Sequence, residues 1–429
     1  MWWKCWLAFQ LYALILIFIT SADESVESSK TLKFVHVVWR HGDRTPTAPL
    51  YKTDINNQAW TWKEGKGQLT KRGMNQHFHL GRWLKKRYAG FVSLTYNQSE
   101  IYIRSSDYNR TIMSALANLA GFYYTSKSDQ FLPDLSWFPI PVHTEVLNND
   151  YLLWMNCPCP TADRYEHEED NSDEFQDFMN KHRRFLDFFG SKIGSDIVTN
   201  YDLWKAYDPL NCEYEHLESH TPPEWANKSV YGEIVRLYDA SLAFMYPSRK
   251  WQRLRGASLY YEIVNRMKNI AANISSSISE TPLLKYYVYS AHDDTLFALM
   301  QNMGNFNVRS PPYASAILIE LHQQDNEFIV KLFYQNDTVV SNSSAEVDLR
   351  SPHILTIPDC GDPCVLHNLV SVVSKLDVGN WFEECGRIEA SGLVYWKRMS
   401  YIFMGLTALS LLMCLLSVIF YLRSRRGMF

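Results

Sequence analysis

The stretch 33-KFVHVVWRHGDRTPT-47 decides the fold. Its first half is rich in valine and apolar on both faces, the pattern of a central parallel strand. The apolar run stops at Trp39, and Arg40, His41, Asp43 and Arg44 follow within five residues. In an open α/β sheet the carboxyl ends of the strands converge on a crevice where ligands bind. Charge of this density at a strand end therefore points to a site.

Two further stretches repeat the pattern. The first, 101-IYIRSS-106, reads as a short buried strand carrying Arg104, with Ser106 or Asp107 placed to cap a helix over 108–120. The second, 285-KYYVYSAHDD-294, reads as a strand that delivers His292 and Asp293, followed by a helix over 295–303. Arginines from separate strands aimed into one cleft repel each other unless an anion lies between them. The planar guanidinium matches phosphate, and helix N-termini after Ser106 and Asp293 add partial positive charge. The pattern predicts an oxyanion cradle.

Outward from these strands, a helix is predicted over 71–88, capped by Thr70 and ending near Gly90. Over 126–282 the texture changes to aromatic and charged helical pieces without a strong strand signal. The acidic run 165-YEHEEDNSDE-174 reads as a solvated loop or helix start. Strand texture returns in 314-ASAILIELHQ-323 and 328-FIVKLFYQ-335, which flank Asp325-Asn326-Glu327 and predict an antiparallel hairpin. The fold class is α/β: a mixed, mainly parallel sheet with helices on both faces and a mostly helical cap. The expected division is 23–125, first part of the α/β domain; 126–282, cap; 283–390, second part.

Both ends of the chain look like targeting segments. Residues 1–22 have one lysine, an apolar run and small residues around Ala22, the layout of a cleaved secretory signal. Residues 400–422 carry no charge, and basic residues flank them. This predicts a single membrane span, with the tail 423–429 in the cytosol and a body of about 370 residues lumenal or extracellular. Such a body is long enough for two structural units. A formal net charge of −4 implies no nucleic-acid partner, and 14% aromatic content argues against disorder. Six cysteines fall in the body, Cys157, Cys159, Cys212, Cys360, Cys364 and Cys385. An even number in a secreted chain predicts three disulfides of open connectivity, and their scatter argues against a zinc site. Sequons at Asn97, Asn227, Asn273, Asn336 and Asn342 are expected to carry surface glycans. Another, Asn109, ranks last among the sequons: a glycan there either obstructs the cleft or faces away on the helix.

The segment 40-RHGDRTP-46 resembles the RHGxRxP signature of the histidine acid phosphatases, and 290-SAHDD-294 resembles their His-Asp motif. Further likenesses are 101-IYIRSSDYNRTIMSALANLAG-121, 68-QLTKRGMNQH-77, 207-YDPLNCE-213 and 311-PPYASA-316. The resemblance runs from about residue 32 to 385, with a likeness to the prostatic and lysosomal acid phosphatases. It implies a phosphoglycerate-mutase-like histidine phosphatase fold and hydrolysis of small phosphate monoesters through a phosphohistidine, without metal or other cofactor. His41 is then the nucleophile and Asp293 the general acid, while Arg40, Arg44, Arg104 and His292 bind phosphate. Homodimers are common among such relatives. A phytase-like specialisation and a catalytically silent receptor are the competing functions.

Two departures from the family stand out. Asp294 stands where relatives often have threonine; it adds negative charge beside Asp293 or serves as a helix N-terminal carboxylate. In animal relatives the cysteine matching Cys212 pairs with one in the segment matching 312–316, where this chain has Ala316. The expectation is that one of Cys157 and Cys159 bonds Cys212, the other bonds Cys385, and Cys360 bonds Cys364. The tail has no tyrosine-based sorting signal, so lysosome and plasma membrane both stay open.

Overall fold

The computed structural model describes residues 30–426 apart from 50, 52–53, 58–60, 124–129, 134, 136, 277–283, 340, 342–348, 377–378 and 388–391. The expected signal, 1–22, lies outside the described residues. In chain order the first half comprises β1 (Leu32–Arg40), α1 (Lys71–Arg87), β2 (Ile101–Ser106), α2 (Asn109–Phe122) and β3 (His143–Glu145). Helices α3 (Pro160–Asp170), α4 (Asp173–Lys181), α5 (Arg183–Ile193), α6 (Asn200–Glu215), α7 (Lys228–Ser241), α8 (Arg249–Leu254) and α9 (Ala257–Ser276) follow. The chain returns to the sheet with β4 (Tyr286–Ala291), α10 (Asp293–Met303), β5 (Ala316–Gln324), β6 (Glu327–Gln335), β7 (His353–Leu355) and β8 (Cys364–Val365). It finishes with α11 (Leu366–Ser374), α12 (Trp381–Glu384) and α13 (Gly392–Arg426).

One mixed sheet runs β3-β2-β4-β1-β5-β6-β7, with β8 pairing β6. The strands β3, β2, β4 and β1 are parallel, and β5 onward is antiparallel. Strand β1 is buried on both faces because its side chains alternate between two cores. Phe34 and Val38 join the cluster under α9, α10 and α11, whereas Val35, Val37 and Trp39 face α1 and α2. Fully burying each such side chain contributes about 1.5–3 kcal/mol. A third core, with Phe175, Phe189, Leu203, Leu210 and Ile234, lies among helices α4 to α7.

Register sets the level of the site. Arg40 pairs with Ala291 and Trp39 with Ser290, so His41 and His292 leave adjacent strands side by side. The expected hairpin is present, and Asp325 (φ 46°) and Asn326 (φ 70°) take the left-handed conformations that a two-residue turn of the I′ kind requires.

Three local expectations need correction. β3 interrupts the helical stretch, and its side chains are all exposed, so no apolar alternation marked it. The helix after β2 is capped at Tyr108 rather than Ser106 or Asp107; the latter two continue the strand and its exit. The helix after β4 begins at Asp293, because His292 is already its extended N-cap residue. Helix α9 packs on β1, α10 and α11. α13 contains an exposed apolar run, Arg398–Arg423, long enough to cross a membrane.

Candidate active site

The turn after β1 is held by a network of side chains from α1 and α2. The Arg40 carbonyl accepts from His77 Nε2 (3.0 Å), Gly42 N–H donates to Ser114 Oγ (3.1 Å), and Asp43 N–H donates to Gln76 Oε1 (2.8 Å). The Asp43 carboxylate accepts from Thr70 and from His216 Nε2 (2.7 Å). Gly42 is needed at this crossing: a Cβ there would lie 2.3 Å from the Gly73 carbonyl oxygen. His41, only 2% exposed, donates from Nδ1 to the Gly42 carbonyl at 2.8 Å. A carbonyl only accepts, so the proton sits on Nδ1 and the lone pair on Nε2.

Three arginines surround this imidazole. Arg44 pairs with Asp208 on α6 at 2.7 Å, and both are buried. Asp208 also accepts from the N–H groups of Thr47 and Ala48, both at 2.8 Å. Burial pushes the Asp208 carboxyl up, but Arg44 and these donors outweigh it and hold it below the usual range. Arg40 lies over the Tyr313 ring at 4.2 Å and reaches Asp293 at 2.9 Å. The third, Arg110, comes from the first turn of α2 and makes no ion pair among the described residues. Its guanidinium lies 4.3 Å over the Tyr108 ring and donates to His292 Nδ1 at 3.4 Å. Burial and then the Arg44 charge pull Arg110 down to about 10.

His292 therefore accepts at Nδ1 and donates from Nε2 to Ser106 Oγ (2.8 Å). The two imidazoles, with centroids 5.6 Å apart, carry opposite tautomers. Burial, then Arg110, Arg40 and Arg44, hold His41 well below its ordinary range. Burial and the same arginines lower His292. Both stay neutral in mildly acidic water. Burial and the adjacent Asp293 raise the Asp294 carboxyl to about 7. His41, Arg44, Arg110, His292, Asp293 and Asp294 line one cavity of about 540 Å³ that opens toward α3, α6 and α8.

Residues 31–335 match the family model of the histidine phosphatase superfamily, branch 2. The chain belongs to that family. The human prostatic acid phosphatase is similar at 36% identity over 85% of this chain and 90% of the relative. The human lysosomal acid phosphatase matches at 34% over 83% and 81%. A putative acid phosphatase of Caenorhabditis elegans matches at 36% over 86% and 82%. The solved phytase of Citrobacter braakii superposes with a TM-score of 0.58, covering 83% of this chain and 99% of its own, at 14% identity. That likeness concerns the fold alone.

Of the residues expected in the site of this branch 2 histidine phosphatase, Arg40, His41, Arg44, His292 and Asp293 come together. Arg104 does not. It leaves β2 two residues before the strand ends, and its guanidinium pairs with buried Asp150 at 2.6 Å. Arg110 takes the place expected of it. Arg110 lies within the 101–121 stretch of family likeness, but a strand-end reading passes over a cation that reaches back from the following helix. Asp208 and Tyr313 were also missed as site residues, although both fall in stretches of family likeness.

The cysteines need a second correction. Disulfides join Cys159 to Cys385 and Cys360 to Cys364. Cys157 and Cys212 are free buried thiols, so no third bridge forms between them. Cys212 lies against Arg44 (3.7 Å) and Tyr313 (3.8 Å), whereas Cys157 faces Arg387 (3.8 Å) and the Asn148 carbonyl. Among the sequons, Asn97, Asn109, Asn227, Asn273 and Asn336 are exposed, and Asn342 lies outside the described residues.

Proposed function

We propose that this chain hydrolyses phosphate monoesters, with His41 as nucleophile and Asp293 as general acid and base. The observation that carries the reading is the tautomer of His41: Nδ1–H is committed to the Gly42 carbonyl, so Nε2 holds the lone pair inside a ring of arginines. Its kinship to acid phosphatases supports the same chemistry.

In the first displacement the Nε2 lone pair forms a bond to phosphorus as the ester P–O bond breaks. The leaving alkoxide takes a proton from Asp293. In the second, water attacks phosphorus, Asp293 takes a proton from it, and the N–P bond breaks to release phosphate and neutral imidazole. Splitting hydrolysis this way lowers each barrier. Arg40, Arg44 and Arg110 hold the phosphoryl oxygens and stabilise the charge that develops on them, while His292, accepting at Nδ1, orients the Arg110 guanidinium toward them. Before substrate arrives, the Arg40–Asp293 contact keeps the acid at the mouth of the cradle. The apolar run of α13 is read as the membrane anchor of a lumenal or external body, and a glycosidase-induced fall in mass tests that side of the assignment.

The test of function is turnover of p-nitrophenyl phosphate by the detergent-solubilised full chain without added metal. Release of phosphate below neutral pH supports the reading; no release across the acidic range contradicts it.

A further inference from the structure

The cavity has two ends of opposite character. At the inner end, Arg110 is a cation without an ion-pair partner among the described residues, beside His41 and His292. Arg40 and Arg44 each already face a carboxylate, Asp293 and Asp208. At the outer end, α3 turns Glu166, Glu169 and Asp170 toward the cavity. None of the three forms an ion pair among the described residues. Among the described lining residues beyond the cradle, Arg255 is the only cation. It donates to the Cys157 carbonyl (3.0 Å), lies 3.9 Å from Asp163 and acts on Glu166, but it contributes nothing at Glu169 or Asp170. Burial and neighbouring carboxylates raise both Glu169 and Asp170, although Ser172 and the Asn200 N–H oppose the rise.

The wall between the two ends is aromatic. Tyr108, Trp154, Trp204, Tyr246 and Trp251 line it. Aromatic faces attract cations, and more so ammonium groups whose hydration is weak. An inner cation that needs an anion, an outer acidic wall that needs a cation, and aromatic faces between them suit a dipolar ligand.

We propose that the outer end selects phosphate monoesters whose alcohol carries a positively charged nitrogen, an alkylammonium or quaternary ammonium group. This deepens the phosphatase reading and rests on it: the phosphoryl group occupies the arginine cradle, and the cation lies against the aromatic wall and α3. The same carboxylates repel a second phosphate on the leaving group, so polyphosphorylated cyclitols are disfavoured. That separates this chain from the substrate named for the phytases whose fold it shares.

The test compares two competitive inhibitors of p-nitrophenyl phosphate hydrolysis by the full chain near neutral pH. One is a phosphonate bearing a trimethylammonioethyl group; the other is its carbon isostere, in which tert-butyl replaces trimethylammonium. Being non-hydrolysable, they remove leaving-group reactivity from the comparison. The expected result is about tenfold tighter inhibition by the ammonium compound, a size between an exposed and a fully desolvated cation–aromatic contact. In the double variant Glu166→Gln, Glu169→Gln that ratio falls to about threefold or less. Equal or tighter inhibition by the isostere in the unmodified protein overturns the proposal and leaves the phosphatase reading standing. No hydrolysis of p-nitrophenyl phosphate overturns that reading and this proposal with it.

Discussion

Arg44 and Asp208 meet at 2.7 Å in a buried pair that ties the turn after β1 to helix α6. Asp208 also accepts from Thr47 and Ala48, so one carboxylate orders both the guanidinium and the backbone that follows it. Asp208→Ala leaves Arg44 buried without a counter-charge. The expected loss of stability is about 3–5 kcal/mol, the size seen when one partner of a buried pair is removed. A fall in the denaturant midpoint measures it; an unchanged midpoint contradicts the structural role given to the pair.

Arg110 and Arg104 should behave differently when replaced. Arg110→Gln removes a donor aimed at the phosphoryl oxygens and is expected to lower kcat/KM by about 10²–10³-fold. Arg104→Gln is expected to change kcat/KM by only a few-fold. It leaves Asp150, whose carboxyl burial already raises to about 6, without its partner, so thermal stability should fall instead. Steady-state kinetics with melting curves for both variants distinguish the two roles. Equal losses of activity would return Arg104 to the site.

The pH profile should carry the mark of Asp294. Below about 7 this carboxyl is protonated and neutral; above it, a negative charge appears beside Asp293 and the phosphate site. Ionisation therefore repels the phosphoryl group and lowers activity on the alkaline side. Asp294→Asn should carry kcat/KM to higher pH with little change on the acid side. The acid side itself should extend below the ordinary imidazole range near ~6.5, because burial and the arginines keep His41 neutral there. An alkaline limb that does not move in Asp294→Asn contradicts the assignment.

Thiol chemistry checks the cysteine pattern. Peptide mapping under non-reducing conditions should recover Cys159 bonded to Cys385 and Cys360 bonded to Cys364. Cys157 and Cys212 should be slow to alkylate in the folded body. Both are buried, and burial raises the Cys157 thiol to about 11. Recovery of a Cys157–Cys212 peptide pair would contradict the structure.

How much of this was legible in the sequence follows from where each signal lay. β1 and β4 announce themselves because both of their faces are buried, and a strand of that kind is apolar throughout. Arg40, His41, Arg44, His292 and Asp293 follow because strand ends converge. β3 left no mark, since three exposed residues carry no alternation. Arg110 was hidden because its geometry belongs to a helix turn rather than a strand end, whereas Arg104 sits inside the strand and turns to Asp150. Asp208 pairs across a sequence separation of 164, inside a helix whose local pattern says nothing of Arg44. The free thiols of Cys157 and Cys212 depend on which neighbours each side chain faces, and spacing does not encode that.

The most direct measurement is identification of the phosphorylated residue. The full chain is mixed briefly with a radiolabelled phosphate monoester, quenched in alkaline denaturant to preserve phosphoramidate bonds, digested and mapped. Label on the peptide containing His41, absent from His41→Ala, is the expected result. Rapid turnover with no label on that peptide, or near-normal hydrolysis by His41→Ala, would contradict it.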